Sequence, residues 1–438
     1  MSKFGFTDEQ YKKFVTYGWI TLLAFSILYA FIYNGRLNMG LALPMMEKTF
    51  GWNKAQAGVL ASVLFWAYGF GHLFNGRLSE IFGVKKFITA GVLLSVAVNL
   101  IISFQTTLIA IAILWALNGY FQSMAWSPGM ALLARWWPSK DRGFATGFAN
   151  GFSGVAQVVV WFSVLASVAW APQWGWAAAF RIPLVTMVIV AVLFAVIAKG
   201  SPKDVGLKDY EEANQEAKVL EDQRLKELRE KGKLYPYLAL FKDWRFVMWC
   251  FIVAISSIAR YGLLTWIPTY YVEVLNMKVK TGIFASVVLP IGMAIGTFLV
   301  PWWTDKFSKG NRLPAVIICS IVSALSVFIF PFVSNLVLAA IGLFIAGFFV
   351  YAINGVVWAY STDVGTRAFS GTAAGVLDWA AYMGAAVQAI IFGGILNATK
   401  NWYIVFFSIS AICVIMLALA VIANKKPKTI AVAPPKAM

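Results

Sequence analysis

The run TLLAFSILYAFIYNGRLNMGLALP, residues 21–44, decides how this chain folds. It is long enough to cross a bilayer core, which takes about 20 apolar residues as a helix. It also carries one charge, Arg36, deep inside. Outward from it the same texture recurs, apolar runs separated by short polar breaks, through nearly all of the 438 residues. Hydrophobic residues make up 60%, charged residues only 13%, and mean hydropathy is +0.74. A soluble domain carries about a quarter charged residues. This chain has too little polar surface for water and too much apolar surface for disorder. In hydrocarbon every backbone polar group must be satisfied internally, by helices or a closed barrel, and the runs lack the alternation of barrel strands. The reading is an all-α membrane protein with twelve transmembrane helices, at roughly 17–45, 56–78, 87–105, 107–134, 143–168, 177–198, 246–272, 282–303, 313–332, 336–360, 368–396 and 402–423.

The formal net charge is +17. In a soluble protein that would suggest nucleic acid; here the basic residues mark topology. Of the 36 Lys and Arg, about 28 lie in the termini, the even-numbered loops and the central linker, and about six in the odd-numbered loops. Positive residues stay inside, so both termini are expected to be cytoplasmic. Cys250, Cys319 and Cys413 lie in apolar runs without metal spacing and read as core packing. The polar start MSKFGFTDEQYKKF leads into a full-length span and does not read as a cleavable signal. There is one histidine, no Ser/His/Asp set, no metal constellation and no Walker-type loop. An enzyme, a cofactor and ATP-driven work are therefore not expected.

The two halves repeat. Arg36 precedes Pro44 by eight residues, and Arg260 precedes Pro268 by eight, an offset of 224. Glu80 and Asp305, each just after the second span of its half, are 225 apart, as are Arg142 and Arg367 before the fifth spans. The expected division is a six-helix bundle at 1–198, a cytoplasmic linker at 199–245, a second six-helix bundle at 246–424 and a tail at 425–438. Such a pseudo-symmetric pair of bundles argues for rocking about a shared midplane site. The linker, with EEANQEAKVLEDQRLKELREKGK at its centre, reads as a tether with a solvated helix of Glu/Lys pairs.

Arg36 and Arg260 each sit inside an apolar span, where a charge at the bilayer centre costs about 2.5–3.5 kcal/mol on insertion scales. No acid lies near either in sequence. The guanidinium stays charged and matches phosphate or carboxylate bidentately, so one Arg per half implies an anion clamp. Tyr29, Tyr33 and Arg36 fall at i, i+4 and i+7 on one helical face, and Ser256 and Ser257 stand one turn before Arg260. His72 is either a hydrogen-bonded bundle residue or a proton-responsive ligand. Asn150, Ser153 and Gln157 form a stripe on span five, and Asp378 and Tyr382 one on span eleven. Asp378 minus 225 is 153, so Ser153 and Asp378 are equivalent in the repeat. Asn118, Gln122 and Trp126 on span four, and Tyr351, Asn354 and Trp358 on span ten, are similar stripes that either line a cavity or join helices. Glu80, Arg142, Asp305 and Arg367 read as gate latches on the cytoplasmic side, pairing in one conformation and parting in the other.

Gly76-Arg77-Leu78-Ser79-Glu80-Ile81-Phe82-Gly83-Val84-Lys85-Lys86 resembles the loop 2–3 signature of the major facilitator superfamily. The segments from Tyr33 to Asn38, Ala42 to Pro44, Trp66 to Phe70, Gly119 to Met124, Arg135 to Trp137, Arg260 to Gly262 with Trp266 and Pro268 to Tyr270, Ser308 to Arg312 and Gly371 to Gly375 extend the resemblance. Together they are similar to the organophosphate:phosphate antiporters, which carry glycerol 3-phosphate and hexose phosphates in bacterial inner membranes. The resemblance implies that Arg36 and Arg260 bind phosphate. His72 matches a lysine of that family's cavity. Ser153 stands where the glycerol-phosphate branch has a histidine, and Pro290 about where some members carry an acid. A phosphate monoester carries about −1.5 to −2, which balances two arginines if Asp378 is protonated. An ionised Asp378 favours a monoanion. The expectation is a monomeric secondary transporter exchanging a phosphate ester for inorganic phosphate. The alternatives are a sulfonate or carboxylate transporter with proton coupling through Asp378, and a transporter-like sugar-phosphate sensor.

Overall fold

The computed structural model describes residues 4–52, 54–212, 215–274, 287–308, 311–333 and 335–424. Fourteen helices carry most of them. The first half holds α1 Asp8–Ile32, α2 Asn38–Phe50, α3 Lys54–Phe82, α4 Val84–Ile102, α5 Leu108–Trp136, α6 Arg142–Trp170 and α7 Ala178–Ile197. Between the halves lie α8 Gln215–Lys231 and α9 Tyr235–Lys242. The second half holds α10 Trp244–Glu273, α11 Val288–Phe307, α12 Leu313–Ile329, α13 Leu336–Thr399 and α14 Trp402–Asn424. No strand occurs among the described residues. Counting α1 with α2 as one pass, and the two arms of α13 as two, gives twelve passes in two sets of six. By length and hydropathy alone, eight described stretches qualify as spans, and one of these, Leu336–Gln388, contains two passes.

The helices start where the sequence supplies acceptors for their free N–H groups. Thr7 and Gln10 form a reciprocal capping box, Thr107 accepts from the Ala110 N–H, and Asn335 accepts from Val337 and Leu338. Phe162, Val185, Val196, Leu325 and Val337 are among the large apolar side chains left exposed on the outer faces. That surface suits lipid, where there is no water to exclude.

Two boundaries differ from the sequence reading, and both matter for function. The first pass is not one helix from 17 to 45. It breaks after Ile32 into a 3-10 turn, Tyr33–Gly35, and resumes at Asn38 as α2. Arg36 therefore sits at the break, outside a regular helix, with φ −121° and ψ −40°. Carbonyls freed by the break find buried amide partners on α4 and α5. Asn118 donates to Gly35 O at 2.7 Å, Asn99 to the same oxygen at 3.2 Å, and Gln122 to Ile32 O at 3.1 Å. Ser95 ties this set together, donating to Asn118 at 2.6 Å and accepting from Gln122 at 2.8 Å. The Asn118 and Gln122 stripe thus caps the break and does not line a cavity. Second, spans ten and eleven run on as α13, with a single turn at Thr366, φ 53° and ψ −162°, in place of a loop.

The halves meet closely where α3 runs beside the second arm of α13. A Cβ on Gly76 would lie 1.9 Å from Gly371 O, and one on Gly375 would lie 2.3 Å from His72 O. Only glycine admits backbones at that approach. The linker is also more than a tether. Tyr210, Glu212 and Glu221 are buried against the ends of the bundles. Arg77 Nε donates to Lys233 O at 2.6 Å, and Tyr237 donates to Leu73 O at 2.6 Å. Residues on the outer side of α8 do form the expected solvated pairs, such as Lys226 with Glu230 at 4.0 Å. The linker thus joins a solvated face to a docked one, because three of its polar side chains have buried partners to reach.

Candidate functional site

Between the halves lies a cavity of about 800 Å³, counted out to its mouth. Arg36 enters from the break after α1, and Arg260 from the middle of α10. Each guanidinium is held by tyrosines. Arg36 Nη1 donates to Tyr68 OH at 3.0 Å and Nη2 donates to Tyr382 OH. Its Cζ lies 4.0 Å from the Tyr68 ring centre and 5.0 Å from that of Tyr33. Arg260 Cζ lies 3.9 Å from the Tyr351 ring centre and 4.7 Å from that of Tyr261, and its Nε is buried without a hydrogen-bond partner. Among the described residues no carboxylate lies within ion-pair distance of either guanidinium. Aromatic faces attract a cation without cancelling its charge, so neither guanidinium is neutralised by an ion pair of its own; the one acid in the lining, Asp378, contacts His72 instead.

The lining also contains Tyr29, Tyr33, Trp126, Asn150, Ser153, Asp378 and Tyr382 from the sequence reading. Tyr29 and Tyr33 are in hydroxyl contact at 3.4 Å, and the Tyr29 ring leans on Trp126 at 4.5 Å. Ser153 and Asp378, equivalent in the repeat, face the same space. Asn150 is partly committed: it donates to Thr297 at 2.6 Å and to Asn354 at 3.3 Å, and Asn354 also accepts from Trp358 at 2.7 Å. Gln157 lies on α6, but its side chain is outside the described residues. His72 is not in the lining. It stands behind it, fully buried, with Nε2 2.9 Å from Asp378 Oδ2 and Nδ1 2.5 Å from Ser127 Oγ. This contact joins α3 of one half to α13 of the other. Tyr68 and Tyr382, which hold Arg36, pack on the His72 ring at 4.3 and 6.3 Å.

Sequence reasoning missed Tyr68 and Tyr261 as lining residues. A signal existed for each: Tyr68 is one helical turn before His72, and Tyr261 directly follows Arg260.

The four latch residues all lie on the face that carries the linker, and none pairs with another of the four. Glu80 pairs with Arg77 at 2.6 Å and accepts from Thr372 N and Oγ1 at 2.9 Å each, across the halves. Asp305 pairs with Arg312 at 2.5 Å and accepts from Phe144 N at 2.8 Å, again across. Arg142 donates to Thr362 O at 3.1 Å and pairs with the linker's Glu212 at 2.7 Å. Arg367 pairs with the linker's Glu221. Burial raises the Glu221 carboxyl above its ordinary pKa, and the Arg367 charge pulls the other way. On this face the halves are closed.

The Major Facilitator Superfamily profile matches residues 25–389. The chain belongs to that superfamily. This facilitator is 25% identical over 409 residues to the "Probable hexose phosphate transport protein" of Chlamydia trachomatis, covering 89% of this chain and 87% of that one. It is also 25% identical to the "Glycerol-3-phosphate transporter" of Bacillus subtilis, covering 89% of each. To the "Membrane sensor protein UhpC" of Escherichia coli it is 25% identical, covering 93% of this chain and 92% of that one. The proton:xylose symporter XylE, solved with 6-bromo-6-deoxy-D-glucose, shares the fold at TM-score 0.71 and 14% identity, covering 92% and 95%. FucP in its outward conformation shares it at 0.68 and 12%, covering 92% and 99%. The facilitator is a membrane transport protein and not an enzyme.

Proposed function

We propose that this facilitator moves a small phosphate ester across the membrane in exchange for inorganic phosphate, by alternating access. The observation that carries this is that Arg36 and Arg260, one per half, share one cavity without a carboxylate on either. An anion neutralises both, and only then can the halves close over them without facing two bare cations. That requirement favours exchange over one-way leak. The moving units are 1–198 and 246–424, the linker side is cytoplasmic, as the Lys and Arg distribution expects, and the membrane is the bacterial inner membrane. One chain supplies both arginines and the rest of the cavity lining, which supports a monomer as the working unit. The named activities of the Chlamydia and Bacillus relatives support a phosphate ester as cargo.

The charge balance follows from the His72–Asp378 contact. When the pair holds one proton it is neutral and the cavity carries +2, which matches a phosphate monoester dianion. When it holds none the cavity carries +1, which matches a sulfonate or carboxylate. The same contact supports a second reading, in which Asp378 couples transport to a proton. Counterflow in proteoliposomes loaded with phosphate tests the first reading: external phosphate esters should drive phosphate out, and sulfonates and carboxylates should not. Binding without counterflow would instead mark a sensor. A pH dependence of uptake that disappears in Asp378→Asn would establish the second reading.

A further inference from the structure

A second basic cavity lies away from the clamp, on the closed linker face. It is an open groove, about 1030 Å³ when the solvent at its mouth is counted, walled by the ends of α3 and α5, the start of the second arm of α13, and α8 with the turn that follows it. Five of its lining side chains are basic: Arg77, Arg135, Arg229, Lys233 and Arg367. One is acidic, Glu80, already engaged by Arg77 and Thr372. Glu221 serves Arg367 from outside the groove, yet Arg367 Nη1 stays buried without a hydrogen-bond partner. Half-buried Arg135 makes one long contact, 3.5 Å to Gly200 O. Arg229 and Lys233 stand exposed at the mouth, in no ion pair among the described residues. The lining itself holds five cations and one carboxylate, while Glu221, Asp204 and Asp209 act on Arg367 or Arg135 from outside it.

We infer that this groove binds a phosphate-bearing anion of two or more charges and holds the linker face shut. Guanidinium forks and buried N–H groups without acceptors suit phosphate oxygens. The groove's walls come from both halves and the linker, so it exists only while that face is closed. A ligand bound there must favour the closed arrangement by its whole binding free energy. The same chemistry is available from a soluble diphosphate or from an anionic lipid headgroup.

The test uses the full chain carrying Arg36→Gln and Arg260→Gln, which silences the central cavity, with Cys250, Cys319 and Cys413 replaced by Ala. In nanodiscs of neutral phosphatidylcholine, pyrophosphate should bind saturably by calorimetry. Arg229→Gln/Lys233→Gln, at exposed positions that cannot disturb packing, should weaken it by about tenfold. In a second arm, discs contain one-fifth phosphatidylglycerol. A lipid occupant would abolish pyrophosphate binding there, and anionic lipid retained after purification would fall in the same variant. In a third arm Ala131→Cys, buried under Gly371, reports opening through maleimide labelling, which the anion should slow. The proposal is overturned by absence of both pyrophosphate binding and variant-sensitive lipid retention. Binding equal in Arg229→Gln/Lys233→Gln, or binding that leaves the labelling rate unchanged, overturns it as well.

Discussion

A guanidinium in hydrocarbon needs partners for its N–H groups, and the choice of partner decides what it is for. A carboxylate would have neutralised Arg36 or Arg260 and made it structural. Tyrosine rings and hydroxyls hold the side chain in place but leave the charge available to a ligand. Lysine keeps the charge and loses the two-pronged geometry. Hydrogen bonds to charged groups are worth about 1.5–3 kcal/mol. Arg36→Lys and Arg260→Lys should therefore each lower exchange by about 10–100-fold, while membrane insertion measured by yield and size-exclusion profile is unchanged. Near-normal exchange in either variant would refute the clamp. The arginines were legible in the sequence because a charge in an apolar run is costly and needs a reason. Tyr68 carried only a weak signal, its place one turn before His72, since a tyrosine in a span is ordinary until its neighbours are known. His72 and Asp378 were both noticed, but nothing in one sequence shows that residues 306 apart touch.

At the scale of the helix, apolar runs announced every pass, and the repeat announced two sets of six. The break between α1 and α2 was hidden because no proline marks it. Asn34 and Gly35 were the available signal, and their apolar flanks masked it. Whether the polar residues that cap the break line a cavity or join helices stayed open for a related reason: spacing shows which side chains share a helix face, not which neighbour the face meets. The capping role has a measurable consequence. Asn118→Leu removes the donor to Gly35 O and the acceptor used by Ser95 and Asn99. Leaving buried polar groups unpaired costs about 1–3 kcal/mol each. The variant should unfold at a temperature several degrees lower, and it should lose substrate affinity because Arg36 hangs from the same turn. A change of Asn354, across the cavity, should leave that turn intact. Equal thermal unfolding of Asn118→Leu and the parent would show that the break holds without these amides.

At the scale of the molecule, closure of the linker face rests on a few polar ties that cross the halves. Glu80 reaches Thr372, Asp305 reaches Phe144 N, and Arg142 reaches Thr362 O. The Gly76–Gly371 approach adds close backbone packing that tolerates no side chain. The proposed alternating-access cycle breaks all of these once per turnover, so their sum has to stay modest, and any one of them should tilt the balance visibly. Glu80→Gln keeps the shape of the side chain but exchanges charge-assisted bonds to Thr372 for neutral ones, about half as strong. It also takes from Arg77 its carboxylate and leaves it the Lys233 carbonyl. A loss near 1.4 kcal/mol shifts a two-state ratio about tenfold. In Ala131→Cys, otherwise cysteine-free, Glu80→Gln should therefore speed maleimide labelling from the linker side by about tenfold. Gly76→Ala, whose Cβ would meet Gly371 O at 1.9 Å, should do the same by steric means. Both variants retain the central arginines, so phosphate bound in the cavity from that side should still protect a label placed beside Arg260. Labelling of the Ala131→Cys thiol at the parent's rate in both would mean that closure does not depend on the α3–α13 contact, and the ties through Arg142 and the linker would have to carry it.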